Sequence, residues 1–103
     1  MRYLEPAECS PGMQVLLLET ERNGVNIAPF KSSRFSVIPG YSSAVDVHAV
    51  AEIWIVMRGT GDLRHGGRSI RLRPDDVVHF QPFESHQVHN DGNETFTALS
   101  LWW

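Results

Sequence analysis

A single cysteine, Cys9, leaves nothing with which to build an intrachain disulfide framework or a cysteine zinc cluster. Basic residues are also sparse. Nine Lys/Arg stand against twelve Asp/Glu, the net charge is −3, and no basic run stands out, so the footprint that displaces counterions from nucleic acid is missing. The longest apolar run near the N-terminus, Val15 to Leu18, is far too short to cross a bilayer, and Met1–Pro6 has no apolar core of a signal peptide. There is no internal repeat, linker or low-complexity stretch. The expectation is a cytoplasmic protein with neither a nucleic-acid nor a membrane partner. At 103 residues only one domain fits, spanning 1–103. With 42% apolar and 20% charged residues the chain should fold. A chain this short buries only roughly 60–65% of its unfolded surface, which favours a homodimer.

Proline and glycine recur so often that few gaps accommodate a globular helix. The segments between them are short and rich in Val, Ile, Phe and Trp, a strand composition. Asn23-Gly24, Gly66-Gly67 and Asn90-Asp91-Gly92 each lie between two such segments and predict three hairpins. The reading is an all-β sandwich or barrel. Residues 1–12 read as an edge strand or an arm. The final segment Phe96–Trp103 is apolar on both faces, which suits a central strand or a subunit interface.

Five histidines are present, and their placement matters more than their number. Asp46 and His48 are two residues apart, and Glu52 lies four beyond His48, so a regular strand turns all three to one face. Glu52 opens the apolar run Ile53-Trp54-Ile55-Val56-Met57, where a carboxylate needs a pair, a hydrogen bond or a cation. Further on, His86 shares a face with Val88, while Gln87 and His89 take the other. Two imidazoles and one or two carboxylates converging inside a barrel make a first-row divalent metal site. His65, before the Gly66-Gly67 turn, reads as exposed, and Arg71 and Arg73 as an outer solvated face.

These residues carry a family pattern. Gly40, five residues, Asp46-Val47-His48, three residues, Glu52, six residues and Gly59 resemble the first cupin motif (about 40–59). Pro74 to His86, then three residues and Asn90, resemble the second (about 74–90), with a short intermotif segment as in small single-domain bacterial cupins. Three departures stand out. Asp46 replaces the first histidine, Asp76 replaces a turn glycine, and the glycine before the ligand histidine is missing from Pro82-Phe83-Glu84-Ser85-His86. The resemblance implies an all-β double-stranded β-helix, or jelly-roll barrel. It also implies one divalent transition metal (Fe, Mn, Zn or Ni) held by Asp46, His48, Glu52 and His86. Without Asp46, the remaining three form the facial triad of non-haem iron oxygenases. The implied activity is that of a metal-dependent enzyme acting on a small organic molecule as an isomerase, cyclase, lyase or dioxygenase. Glu52 or Asp46 would be the catalytic base, and Tyr41, His79, Arg34 and Arg58 candidate substrate contacts. The alternative is a non-catalytic ligand-binding or accessory module.

Overall fold

The computed structural model describes residues 7–103; residues 1–6 of the expected arm lie outside the described residues. Eleven strands and no helix are found among them: β1 (Ala7–Ser10), β2 (Met13–Leu17), β3 (Glu21–Arg22), β4 (Val25–Asn26), β5 (Lys31–Val37), β6 (Glu52–Arg58), β7 (Gly61–His65), β8 (Arg68–Leu72), β9 (Val77–Phe80), β10 (His86–His89) and β11 (Phe96–Trp102). They form a six-stranded sheet in the order β1-β2-β5-β11-β6-β9, a three-stranded sheet β10-β7-β8 and the small pair β3-β4. Every pairing is antiparallel.

The two larger sheets face one another across one core. Phe35, Trp54, Val56, Phe96 and Ala98 come from the first, and Leu63, Leu72 and Val88 from the second. Strand periodicity explains the selection: Glu52, Trp54 and Val56 point inward from β6 while Ile53 and Ile55 point outward. In β11 the inward set is Phe96, Ala98 and Ser100. This strand lies between β5 and β6, so the apolar terminal segment is a central strand. The edge reading of the N-terminal segment also holds, since β1 pairs only with β2.

The expected hairpins fared differently. Gly66 and Gly67 turn β7 into β8 with φ of 58° and 76°. Asn23 and Gly24, at φ 52° and 77°, turn a hairpin of only two residues a side, because the Val15 segment pairs with β5 instead. Asn90-Asp91-Gly92 makes no hairpin: β10 belongs to the small sheet and β11 to the large one, so this link crosses between sheets. Asn90 is fully buried there, its amide donating to the Val37 carbonyl at 2.8 Å and the Glu94 carbonyl at 2.9 Å. Gly59 is obligatory, with φ 77° and the Thr95 carbonyl oxygen 2.6 Å from where a Cβ would stand.

The stretch from Asp46 to Glu52 departs from the regular strand expected of it. Residues 43–51 are irregular apart from a bridge at Asp46, with a bend at Ala49 and Val50. The segment from Gly40 to Asp46 runs along β10 as an incomplete extra strand. Ser42 bridges His89, and Asp46 exchanges two backbone hydrogen bonds of 3.1 Å with His86.

Candidate metal centre

That exchange with His86 positions the first donor. It ties Asp46 to the start of β10, so the carboxylate and imidazole arise from adjacent backbone. His48 lies two residues further along, and its carbonyl accepts a 2.6 Å hydrogen bond from the Phe83 amide. Glu52 opens β6 facing inward, opposite Phe80 of β9 and Trp102 of β11. Three chain segments, the one before β6, β6 itself and β10, thus bring these side chains together.

Asp46, His48 and His86 each offer a ligand atom, and these atoms lie within 4.8 Å of one another. His48 Nε2 is 3.8 Å from Asp46 Oδ2. Glu52 sits beside this trio, its Oε1 being 3.0 Å from His86 Nε2 and 4.0 Å from His48 Nε2. Donors about 2.1 Å from a common first-row ion stand about 3.0 Å apart when adjacent and about 4.2 Å when opposite; the separations of 3.0, 3.8 and 4.0 Å fall within that span, and the 4.8 Å limit of the trio asks for a small inward movement of the exposed side chains. The donor chemistry fits as well. Buried Glu52 Oε1 and His86 Nε2 face each other without the alignment of a hydrogen bond, and neither has another hydrogen-bond partner. When His86 is charged the two satisfy each other as an ion pair; when it is neutral with its proton on Nδ1, two acceptors face each other, which is costly unless a cation lies between them.

The other ends of these side chains are fixed. His86 Nδ1 lies 3.1 Å from the Glu84 carbonyl, which places its proton there and leaves Nε2 free to ligate. The His86 ring stacks on Phe80 at 4.0 Å and meets Trp54 edge-on at 5.2 Å. Glu52 Oε2 accepts hydrogen bonds from Trp54 Nε1 at 3.0 Å and from the Ser100 hydroxyl. Burial pushes the Glu52 carboxyl upward. The adjacent His86 and the donors Ser100 and Trp54 outweigh it and hold the group below its usual range. Burial likewise works against a charged His86, but Glu52 prevails and the imidazole sits above its ordinary value. The cluster is graded in exposure: Glu52 and His86 are buried, whereas His48 is exposed and Asp46 half-exposed, so it opens toward solvent on one side.

A cavity of about 390 Å³ adjoins the donors, lined by Asp46, His48 and Glu52 together with apolar wall residues. The four candidate substrate contacts are not among its lining residues. Tyr41 packs its ring over the backbone of Gly12. Outward-facing His79 stacks on Trp103, the rings 8° from parallel. Arg34 and Arg58 line a different cavity, with Gln14 and Thr97, because their positions in β5 and β6 face away from the core. His89, expected to turn from the site, pairs with the Ser42 hydroxyl at 2.8 Å. His65 is half-buried rather than exposed, with Nε2 3.2 Å from Glu84 Oε2 and its ring edge-on to Phe80. Sequence reasoning passed over Ser100 and read Trp54 only as part of an apolar run. A serine at an inward position of an apolar strand was the available signal for the first, and nothing local marked the second as a partner of Glu52.

Fold and cluster together define a jelly-roll barrel with a candidate histidine–carboxylate metal group at one end. Residues 33–102 match the family model of the cupin domain, and the chain belongs to that family. It is 34% identical to a Cupin 2 conserved barrel domain protein from Salinispora arenicola, with a TM-score of 0.81 over 93% of this chain and 79% of that one. A predicted oxalate decarboxylase from Thermotoga maritima is similar in fold, at 22% identity and TM-score 0.76 over 95% and 89% of the two chains. The lyase DddQ from Ruegeria pomeroyi, which acts on DMSP, is similar at 23% identity and TM-score 0.65 over 71% of this chain and 37% of that one. At these identities the last two comparisons speak to the fold alone.

Proposed function

We propose that this cupin is a metal-dependent enzyme acting on a small organic molecule, with Asp46, His48, Glu52 and His86 holding one divalent ion of iron, manganese, zinc or nickel. The observation that carries this reading is the convergence of Glu52 Oε1 and His86 Nε2, both buried and with no partner but each other, beside ligand atoms of His48 and Asp46. When bound, such an ion supplies Lewis acidity toward a carbonyl or enol oxygen, or oxygen activation if it is iron.

The chain's own groups divide the remaining work. Glu52 is fastened by Ser100 and Trp54 and buried, which suits a fixed ligand better than a mobile base. Asp46 is half-exposed, lines the cavity and fits the handling of a proton at Oδ2. The apolar wall excludes water from a molecule seated against the donors. Isomerisation, cyclisation, elimination and dioxygenation all suit this arrangement. Reconstitution with each of the four ions followed by elemental analysis tests the proposal; about one equivalent retained after dialysis supports it, and none retained ends it. The cavity equally favours a second reading, a module that binds a small ligand without converting it. Turnover abolished by His48→Ala separates the two.

A further inference from the structure

The walls of the cavity restrict what it can hold. Met13, Val15, Phe35, Trp54, Val50 and Trp102 supply its apolar surface. Its polar side chains are the donors Asp46, His48 and Glu52, together with Ser33 and Ser100, which face each other across β5 and β11. The Ser100 hydroxyl and the Trp54 indole N–H already donate to Glu52, and Met13 Sδ accepts from the Ala44 amide. Among the described residues no lysine or arginine lines the cavity.

Charge accounting gives this wall its meaning. Two carboxylates, Asp46 and Glu52, balance a divalent ion, so the loaded site is close to neutral. A dicarboxylate would then bring two charges against an apolar wall whose nearest cation is Lys31, on the same face of β5 as Ser33 and Phe35 but out at the rim beside Trp102, so at least one charge would lose water without a partner. A neutral molecule incurs no such cost and gains from covering the part of the wall that is still open, chiefly Trp102 and Val50, since Phe35 and Trp54 are already buried against the core. At about 30 Å³ per water-sized group, 390 Å³ accommodates on the order of a dozen non-hydrogen atoms, a single substituted ring.

We infer that the ligand of this cavity is an uncharged, largely apolar ring compound bearing one oxygen donor, such as a ketone or hydroxyl, and not a dicarboxylate or sugar acid. This deepens the proposed function and rests on it for the oxygen donor, while the apolar wall exists whether or not a metal is held.

Calorimetric titration of acetophenone, a neutral aromatic ketone, and succinate, a dianion, into metal-free and Mn(II)-loaded protein tests the inference. The expected result is acetophenone binding at least tenfold tighter than succinate to both forms. Trp102→Ala should weaken acetophenone about tenfold, with manganese content unchanged. Val50→Lys, at the bend on the cavity rim, places a cation in the wall without touching the core, and should weaken acetophenone and strengthen succinate. Succinate binding as tightly as acetophenone to the unaltered protein, or no binding of either, overturns the inference, as does a Val50→Lys protein with unchanged preference. If the protein retains no metal yet binds acetophenone with these sensitivities, the inference stands and the metalloenzyme reading falls.

Discussion

Asp46 stands where the cupin pattern has a histidine, and its backbone explains how a shorter side chain still reaches the cluster. Its two hydrogen bonds with His86 draw this segment against β10, bringing Oδ2 to 3.8 Å from His48 Nε2. Asp46→Ala should therefore lower metal affinity by more than the roughly 10–100-fold typical of a residue that merely orients a ligand, and Asp46→His should restore part of it. Competitive titration with a chelator measures both. Affinity indistinguishable from the unaltered protein would assign Asp46 to the loop alone. The Glu52–His86 pair gives a second expectation, in pH. The lowered Glu52 contributes stability that is complete above its ordinary 4.5 and is lost as pH falls through its depressed value. The raised His86 contributes stability that is complete below its ordinary 6.5 and is lost as pH rises through its elevated value. The metal-free protein should thus gain most from this pair between about pH 4.5 and 6.5. A metal competes with the His86 proton, so its stabilisation should grow as pH rises above that window. Melting temperatures with and without Mn(II) across pH 5–8 check this; a gap that narrows with pH would contradict it.

The loop from Gln81 to Ser85 holds the least relaxed backbone near the site. Phe83 adopts φ 67° although it is not glycine, and its amide donates to the His48 carbonyl at 2.6 Å. Its side chain is 72% exposed, so packing does not decide the effect of a substitution there. Phe83→Ile places a β-branched residue at positive φ and should cost about 1–2 kcal/mol of stability, loosening His48 and weakening metal binding. Phe83→Gly relieves the backbone but frees the unfolded chain, and should stay within about 1 kcal/mol of the unaltered protein. Chemical denaturation of both variants measures these changes; equal stability would mean that the backbone relaxes at no cost. The missing glycine of the second motif was visible in the sequence, but not the residue that would carry the strain. The same division holds for the other elements. The Gly66-Gly67 turn was legible because turn chemistry is local, whereas the alternation within the apolar run of β6 was not, every residue from Ile53 to Met57 being apolar. The crossing at Asn90 was not, because a turn sequence does not say whether its flanking strands join one sheet or two. The irregular path through Ala49 and Val50 was hidden for the same reason, being set by contacts with β10 and the Phe83 loop. The candidate group of Asp46, His48 and His86, with Glu52 beside it, could nevertheless be named, since the motif spacing records where the chain returns to this end of the barrel. The wall around them was misjudged: Tyr41, His79, Arg34 and Arg58 face elsewhere because orientation there depends on pairing across strands.

At the scale of the molecule, the apolar final strand no longer argues for an interface, since β11 is internal. We propose a homodimer on other grounds. The core is small, and Leu17, Ile27, Val45 and Val47 remain exposed. Sedimentation at micromolar concentration should give a dimer, and a stable monomer would contradict it. Among the described residues no helix is long and apolar enough to cross a membrane. What organises the whole chain is the meeting of its two motifs: β6 delivers Glu52, β10 delivers His86, and the segment between β5 and β6 delivers Asp46 and His48 to one end of a barrel. The most direct test is elemental analysis of protein isolated under anaerobic conditions, beside His48→Ala and His86→Ala variants prepared identically. The account predicts close to one equivalent of a divalent first-row metal in the unaltered protein and a large loss in both variants, with the barrel still folded. Folded, metal-free protein that takes up no such ion on reconstitution would contradict it.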